Sequence, residues 1–252
     1  MDPDAFQIAA LAMCGAIVGS FLNVVAYRLP RGESIVHPRS RCPSCGVQIA
    51  AYDNVPVVSW VVLQGHCRRC NAAIPFRYPF TEALTALLFG AVAARADSLA
   101  EAWPGLALVT TLVVVALVDI DHRIIPNRVL AVSAAMGLVL WALADPGRIP
   151  GNLVAAVAAG GALLVVALAY PRGMGMGDVK LVAVMGLYLG RAVVPALFLG
   201  FALGAAVGVG MIAVRGAAAR KQAIPFGPFL ALGGIVGQLV GDELMDWYLD
   251  LS

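Results

Sequence analysis

Leu112-Val113-Val114-Val115-Ala116-Leu117-Val118-Asp119-Ile120-Asp121-His122-Arg123 is an apolar stretch that ends abruptly in two carboxylates. Followed back to Pro104, it contains no charged residue before Asp119. Seven further runs of the same character lie at Ala5–Tyr27, Phe80–Ala94, Val129–Ala144, Leu153–Tyr170, Leu181–Gly190, Ala192–Val214 and Phe229–Leu249. Over all 252 residues, 61% are hydrophobic and 13% charged, where a soluble domain is near half apolar and a quarter charged. That balance excludes a soluble globular enzyme. It predicts an all-α polytopic membrane protein, since in lipid a helix satisfies its own backbone polar groups.

A span needs about 20 residues to cross about 30 Å of hydrocarbon. Leu181–Gly190 is too short, so it extends back into the preceding loop, is re-entrant, or sits in a shielded bundle; the expected count is therefore seven or eight spans. If Arg28–Pro79 is cytosolic and sides alternate, the inner segments hold Arg28, Arg31, Arg39, Arg41, Arg68, Arg69, Arg77, Arg123, Arg128, Arg172, Lys180, Arg215, Arg220 and Lys221. Only Arg95, Arg148 and Arg191 remain outside. This positive-inside bias holds at every inner loop and predicts an external N-terminus. The acidic opening Met1-Asp2-Pro3-Asp4 argues against a secretory signal, which requires a positive start. Cys14, preceded by bulky Met13, is expected to be a buried packing residue rather than a lipidation site. Gly200, Gly204 and Gly208, and Gly233, Gly237 and Gly241, recur every four residues and predict close helix packing within the chain.

Cys42-Pro43-Ser44-Cys45 and Cys67-Arg68-Arg69-Cys70 are two CxxC pairs at a spacing near that of structural zinc ribbons. Gly46 and Asn71, one residue beyond each pair, tolerate the positive φ that such turns require. On the reducing cytosolic side, tetrahedral zinc is favoured over disulfides or redox chemistry, with His37 and His66 as alternative ligands. Between the pairs, the β-branched segment Val55–Leu63 is too short to span and is expected to supply a strand or two.

Carboxylates at helix ends snorkel poorly, having short stems. Two such sites fall on the same inner face: Asp119 and Asp121 at the end of the third run, and Asp178 within Gly173-Met174-Gly175-Met176-Gly177-Asp178-Val179-Lys180. On one helix Asp119 and Asp121 point about 200° apart, so only one can face a partner; Asp119, the deeper, is selected. Two carboxylates sharing a site cannot both ionise cheaply, and one then keeps a proton while the other takes one from water, as in aspartic proteolysis. The residues alone leave two other readings open: a transport or proton-relay pair, and an Asp119–Arg123 pair with Asp178 capping the helix that follows.

Taken in order, the motifs resemble those of bacterial type IV prepilin peptidases, membrane aspartic enzymes that process pilins and type II secretion pseudopilins. They are Gly19-Ser20-Phe21-Leu22-Asn23-Val24-Val25-Ala26-Tyr27-Arg28-Leu29-Pro30, the two CxxC pairs flanking Pro56-Val57-Val58-Ser59-Trp60, Arg77-Tyr78-Pro79 with Glu82, the Asp119 segment with Ile125-Pro126-Asn127, and Gly175-Met176-Gly177-Asp178-Val179-Lys180-Leu181. The resemblance implies cleavage of a basic leader at the cytosolic membrane face by Asp119 and Asp178, in the bacterial inner membrane. It also implies methyl transfer from S-adenosylmethionine to the new N-terminus, with Glu82 the suspected contributor, or peptidase activity alone where methylation is lost. The expected organisation is a first transmembrane helix (1–27), a small cytosolic zinc-ribbon-like insert (28–79) holding zinc on Cys42, Cys45, Cys67 and Cys70, and a transmembrane peptidase domain (80–252). The expected partners are a prepilin or pseudopilin and the lipid bilayer, with no nucleic acid.

Overall fold

A computed structural model describes residues 3–171, 173–216 and 224–251. Arg172, Arg220 and Lys221 of the charge argument, together with Met1 and Asp2, lie outside the described residues. The contacts divide the chain into two compact units, Met1–Arg95 and Ala96–Ser252.

The first unit is a helix pair with an insert between its members. α1 (Pro3–Arg28) runs into a short 3-10 turn (Leu29–Arg31), and α3 (Arg77–Arg95) returns beside it. Small residues make the close approach possible: a Cβ on Gly15 would lie 2.7 Å from the Thr85 carbonyl oxygen, and one on Gly19 would lie 2.9 Å from Glu82 Cα. Asn23, buried on α1, donates its side-chain amide to the Tyr78 carbonyl at 3.3 Å. The order of these contacts along the two helices makes the pair antiparallel, so the Arg28 end of α1 lies beside the start of α3.

Within the insert, Ala51–Asn54 forms a 3-10 turn and Val58–Val62 forms a short helix, α2. The strand expected over Val55–Leu63 is therefore corrected to a helix. Its β-branched residues had no neighbouring strand to pair with, and strand preference depends on such a neighbour. Instead Val57 takes φ 61°, ψ −51°, and Val58 N–H bonds the Pro56 carbonyl at 2.6 Å, a γ-turn that starts α2. Among the described residues, β pairing is limited to single bridges, Arg41 with Gln48 and His66 with Ala73.

The second unit is a bundle of α4 (Leu99–His122), α5 (Asn127–Ala144), α6 (Arg148–Ala169), α7 (Met176–Leu189), α8 (Val193–Arg215) and α9 (Gly227–Asp250). α4 and α7 supply the core, where Leu108, Leu112, Leu181 and Met185 are fully buried. α5 and α6 turn apolar side chains outward instead, among them Val132, Leu143, Val157 and Leu168. The short run at Leu181–Gly190 is lengthened backward through Met176-Gly177-Asp178 and continues through the turn Gly190–Ala192 into α8. The glycine repeats pack α8 on α9: a Cβ on Gly204 would lie 2.7 Å from the Phe226 ring, and one on Gly237 2.7 Å from Ala196 Cβ, although Gly208 faces open space.

The protein is all-helical, and five segments among the described residues are long and apolar enough to cross a membrane: Ala5–Arg31, Leu99–His122, Asn127–Ala144, Arg148–Ala169 and Met176–Arg215. Cys14 is exposed on α1 rather than buried. A thiol is a small apolar group, and lipid hides it from water as well as protein does.

Three helices of the second unit are also joined by buried hydroxyls. Thr111 on α4 donates to Ser133 Oγ on α5 at 2.8 Å, and Tyr188 on α7 donates to the Ser133 carbonyl at 2.7 Å. Gly137 gives the tyrosine ring its space, since a Cβ there would lie 2.8 Å from Tyr188 Cζ.

Candidate functional site

Two sites stand out, one in each unit. In the first unit the two CxxC pairs form matching tight turns. Gly46 N–H bonds the Cys42 carbonyl at 2.9 Å, and Asn71 N–H bonds the Cys67 carbonyl at 2.9 Å, with Gly46 at φ 70° and Asn71 at φ 56°. The four sulfurs lie within 4.8 Å of one another, and Cys42 Sγ is 3.8 Å from Cys70 Sγ. Zn–S bonds of about 2.3 Å in a tetrahedron give S···S edges of about 3.8 Å, so the donor set fits that ion. His37 is exposed, and the His66 ring Nδ1 pairs with the Gln64 carbonyl at 2.7 Å; the cluster is made by the cysteines.

Backbone N–H groups of Cys45 and then Ser44 pull the Cys42 thiol down to about 6, while those of Cys70 and Arg69 lower Cys67. Cys70 behaves oppositely: the Ala72 N–H favours its thiolate, but burial and the three neighbouring sulfurs together push it up to about 12. Four thiolates this close repel one another, and a divalent cation at their centre removes the conflict. Arg68 braces the second turn with a two-pronged pair to Asp53, Nε to Oδ2 at 2.9 Å and Nη2 to Oδ1 at 2.6 Å.

Glu82 is buried on α3 and accepts the N–H of strained Val57 at 2.6 Å. A β-branched residue rarely adopts positive φ, so this carboxylate holds the γ-turn before α2 in place.

In the second unit, α4 ends at His122 with Arg123 in the left-handed conformation, its N–H closing on the Asp119 carbonyl at 2.9 Å. This cap terminates the helix just after Asp119, which is only 5% exposed, whereas Asp121 is turned outward. The first residue of α9, Gly227, donates its N–H to Asp119 Oδ2 at 2.8 Å, so the positive end of a helix faces the carboxylate. Glycine permits this approach, because a Cβ would lie 2.8 Å from that oxygen and force one of the two to shift.

Asp178 sits in the first turn of α7, half-buried, and its Oδ2 accepts the Gly175 N–H at 3.2 Å. Gly177 lets α7 press on the α4–α5 connection, where a Cβ would meet Ile125 Cβ at 2.9 Å, and Lys180 Nζ donates to Asn127 Oδ1 at 2.9 Å. These contacts place the start of α7, with Asp178, against the connection that follows Asp119 at the end of α4. The capping role considered for Asp178 is thus present, and Asp119 has a backbone partner on α9.

The Gly227 donor was missed from the sequence. Its signal was Phe226-Gly227-Pro228, where proline in the first turn marks a helix start.

The bacterial peptidase A24 N-terminal domain matches residues 13–96, and the type IV leader peptidase family matches residues 106–209. A prepilin leader peptidase/N-methyltransferase of Bacillus subtilis (strain 168) is 32% identical over 98% of this chain and 99% of its own. Proteins of the same description from Aeromonas hydrophila (38% identical, 92% of this chain and 90% of the relative) and Pseudomonas aeruginosa (33%, 99% and 96%) match similarly. No solved structure matches. Two domain matches in the expected order and near-complete coverage by these relatives lead to one conclusion: the chain belongs to the type IV leader peptidase family.

Proposed function

We propose that this protein is an inner-membrane prepilin peptidase that also methylates the N-terminus it creates. It cleaves the basic leader of a type IV prepilin or type II secretion pseudopilin with Asp119 and Asp178 as paired carboxyls. The reading is supported above all by one observation: Asp119, buried, lies in the last turn of α4 and Asp178 in the first turn of α7, which packs through Gly177 on Ile125 of the α4–α5 connection.

In this reading one carboxyl carries a proton and hydrogen-bonds the peptide carbonyl oxygen, while the other, ionised, takes a proton from the attacking water. Hydroxide adds to the carbonyl carbon, and the tetrahedral intermediate then collapses. The C–N bond breaks as the amine receives a proton from the pair. Gly227 N–H fixes the Asp119 carboxylate, and the glycines around Asp178 let a peptide backbone approach. The substrate fits physically: an apolar helix held in the bilayer delivers the bond below it to acids at a helix end.

Cys42, Cys45, Cys67 and Cys70 would hold a structural zinc that fixes the fold of the insert. Methyl transfer would use S-adenosylmethionine, which supplies an electrophilic methyl group to the neutral amine. We further propose seven or eight spans, with the N-terminus outside and the aspartates facing the cytosol, on the distribution of arginine and lysine.

The test is cleavage of a purified prepilin by Asp119→Asn and Asp178→Asn, with Asp121→Asn as control. Cleavage at the wild-type rate by either of the first two refutes the pair. Labelled S-adenosylmethionine in the same reaction reports methylation, and cleavage without label leaves a peptidase only.

A further inference from the structure

α2 is built inside out. Ser59 points inward, accepting the Val55 N–H at 2.9 Å and donating to the Tyr52 carbonyl at 3.0 Å. Val58, Val61 and Val62, spaced i, i+3, i+4 on one face, are 57%, 62% and 68% exposed. Tyr52 and Phe76 are exposed as well. A water-facing surface does not ordinarily gather such a patch.

Three features identify what covers it. The insert leaves α1 at Arg28 and re-enters helix at Arg77, and these two positions lie at the same end of the helix pair because α1 and α3 are antiparallel. Both ends of the insert are thereby held at one end of α1, a helix that can cross a bilayer. An aromatic chain then runs from the insert into α3, Trp60 to Phe76 at 5.8 Å and Phe76 to Phe80 at 6.2 Å between ring centroids. Arg31 lies 4.0 Å over the ring of exposed Tyr27 at the same level. Aromatic and basic anchors of this kind mark the membrane–water interface. Finally, residues 28–79 carry Arg28, Arg31, Arg39, Arg41, Arg68, Arg69 and Arg77 against only Glu33 and Asp53, a charge that complements an anionic leaflet.

We propose that the insert lies on the membrane rather than hanging in the cytosol, with Val58, Val61 and Val62 set into the headgroup region of an anionic leaflet. Amphipathic surface helices sit about 5–10 Å into that boundary. The inference rests on the membrane reading but is independent of the aspartate pair.

The full chain is reconstituted into nanodiscs of phosphatidylcholine and phosphatidylglycerol containing a phospholipid with a diazirine in its upper acyl chain. A parallel sample is labelled with a water-soluble diazirine, and adducts are mapped by mass spectrometry. The expected result is lipid adducts on Val58, Val61 and Val62 comparable to those on exposed Ile17 of α1. They fall several-fold in the double variant Val61→Asp, Val62→Asp, whose zinc content stays at the wild-type value, and several-fold when phosphatidylglycerol is omitted. Labelling of residues 58–62 from water but not from lipid overturns the proposal. Protection from both reagents overturns it too, showing that protein covers the face. Adducts unchanged without phosphatidylglycerol overturn its electrostatic half, and absence of lipid adducts from Ile17 as well would overturn the membrane reading with it.

Discussion

The cysteine cluster and the aspartate site are both built from pairs of residues, yet they are assembled in opposite ways. Each half of the cysteine cluster is one tight turn whose hydrogen bonds close within four residues, Gly46 N–H to Cys42 and Asn71 N–H to Cys67. The aspartate site is local in one half only: Asp178 takes its backbone donor from Gly175, three residues back, but Asp119 takes its own from Gly227, 108 positions away. A site made of turns carries its geometry in its spacing. A site made of converging helix ends depends on the packing of everything between them.

The largest expected effect breaks the first half of this comparison. Cys42→Ser removes one of four sulfurs from a cluster that fits tetrahedral zinc, and structural zinc contributes roughly 10–16 kcal/mol of apparent binding free energy in small domains at neutral pH. The variant should lose its metal by mass spectrometry and open residues 42–70 to protease, with α4–α9 still resistant. The wild type should also bind zinc with proton release. Cys70 stands at about 12 without metal and must give up its proton to become a ligand, so affinity weakens as pH falls. A calorimetric signal independent of buffer ionisation enthalpy would contradict this.

Next in size is the aspartate pair. General acid–base groups contribute about 10²–10⁴-fold, so Asp119→Asn and Asp178→Asn should each lower kcat for prepilin cleavage by that range at unchanged zinc content. Asp121, which is turned outward, should tolerate asparagine. A deeper loss from Asp121→Asn would move the site to the other face of α4.

Gly227→Ala sharpens the contrast because it touches the carboxylate without changing it. The added Cβ would sit 2.8 Å from Asp119 Oδ2, so the acid or the start of α9 must shift. A displacement of about 1 Å can cost on the order of 10²-fold in rate, and the loss should fall on kcat more than on KM. Gly208→Ala, which meets nothing within 4 Å, should leave cleavage unchanged and, as a mid-helix replacement, stabilise by up to about 1 kcal/mol.

This difference in assembly also explains what could be read beforehand. The eight long helices among the described residues were legible because each carries an apolar run, and the cysteine turns because Gly46 and Asn71 stand where positive φ is needed. α7 was legible only in part: its first turn is Met176-Gly177-Asp178, whose glycine breaks the apolar pattern while packing on Ile125 makes room for a helix. Val55–Leu63 has the composition of a strand, but pairing is a property of neighbours, and Pro56 with the Glu82-held Val57 turns the chain into a helix instead. Burial of Asp119 against Gly227 was invisible because no local pattern around Asp119 encodes a contact 108 positions away.

The smallest expected effect asks whether the second unit needs its polar bridges at all. In lipid, helices gain little from hiding apolar surface against one another, and packing with interhelical hydrogen bonds holds them in register. Thr111, Ser133 and Tyr188 join α4, α5 and α7, and two of these helices carry Asp119 and Asp178. Tyr188→Phe keeps the ring beside Gly137 and removes only the hydroxyl that bonds Ser133, which should cost about 0.6 kcal/mol and at most about 1.7. Thermal unfolding in nanodiscs measures that loss. Because α4 and α7 set the separation of Asp119 and Asp178, kcat should fall with it while KM for prepilin holds, whereas a bridge that served stability alone would leave kcat at the wild-type value below the unfolding temperature.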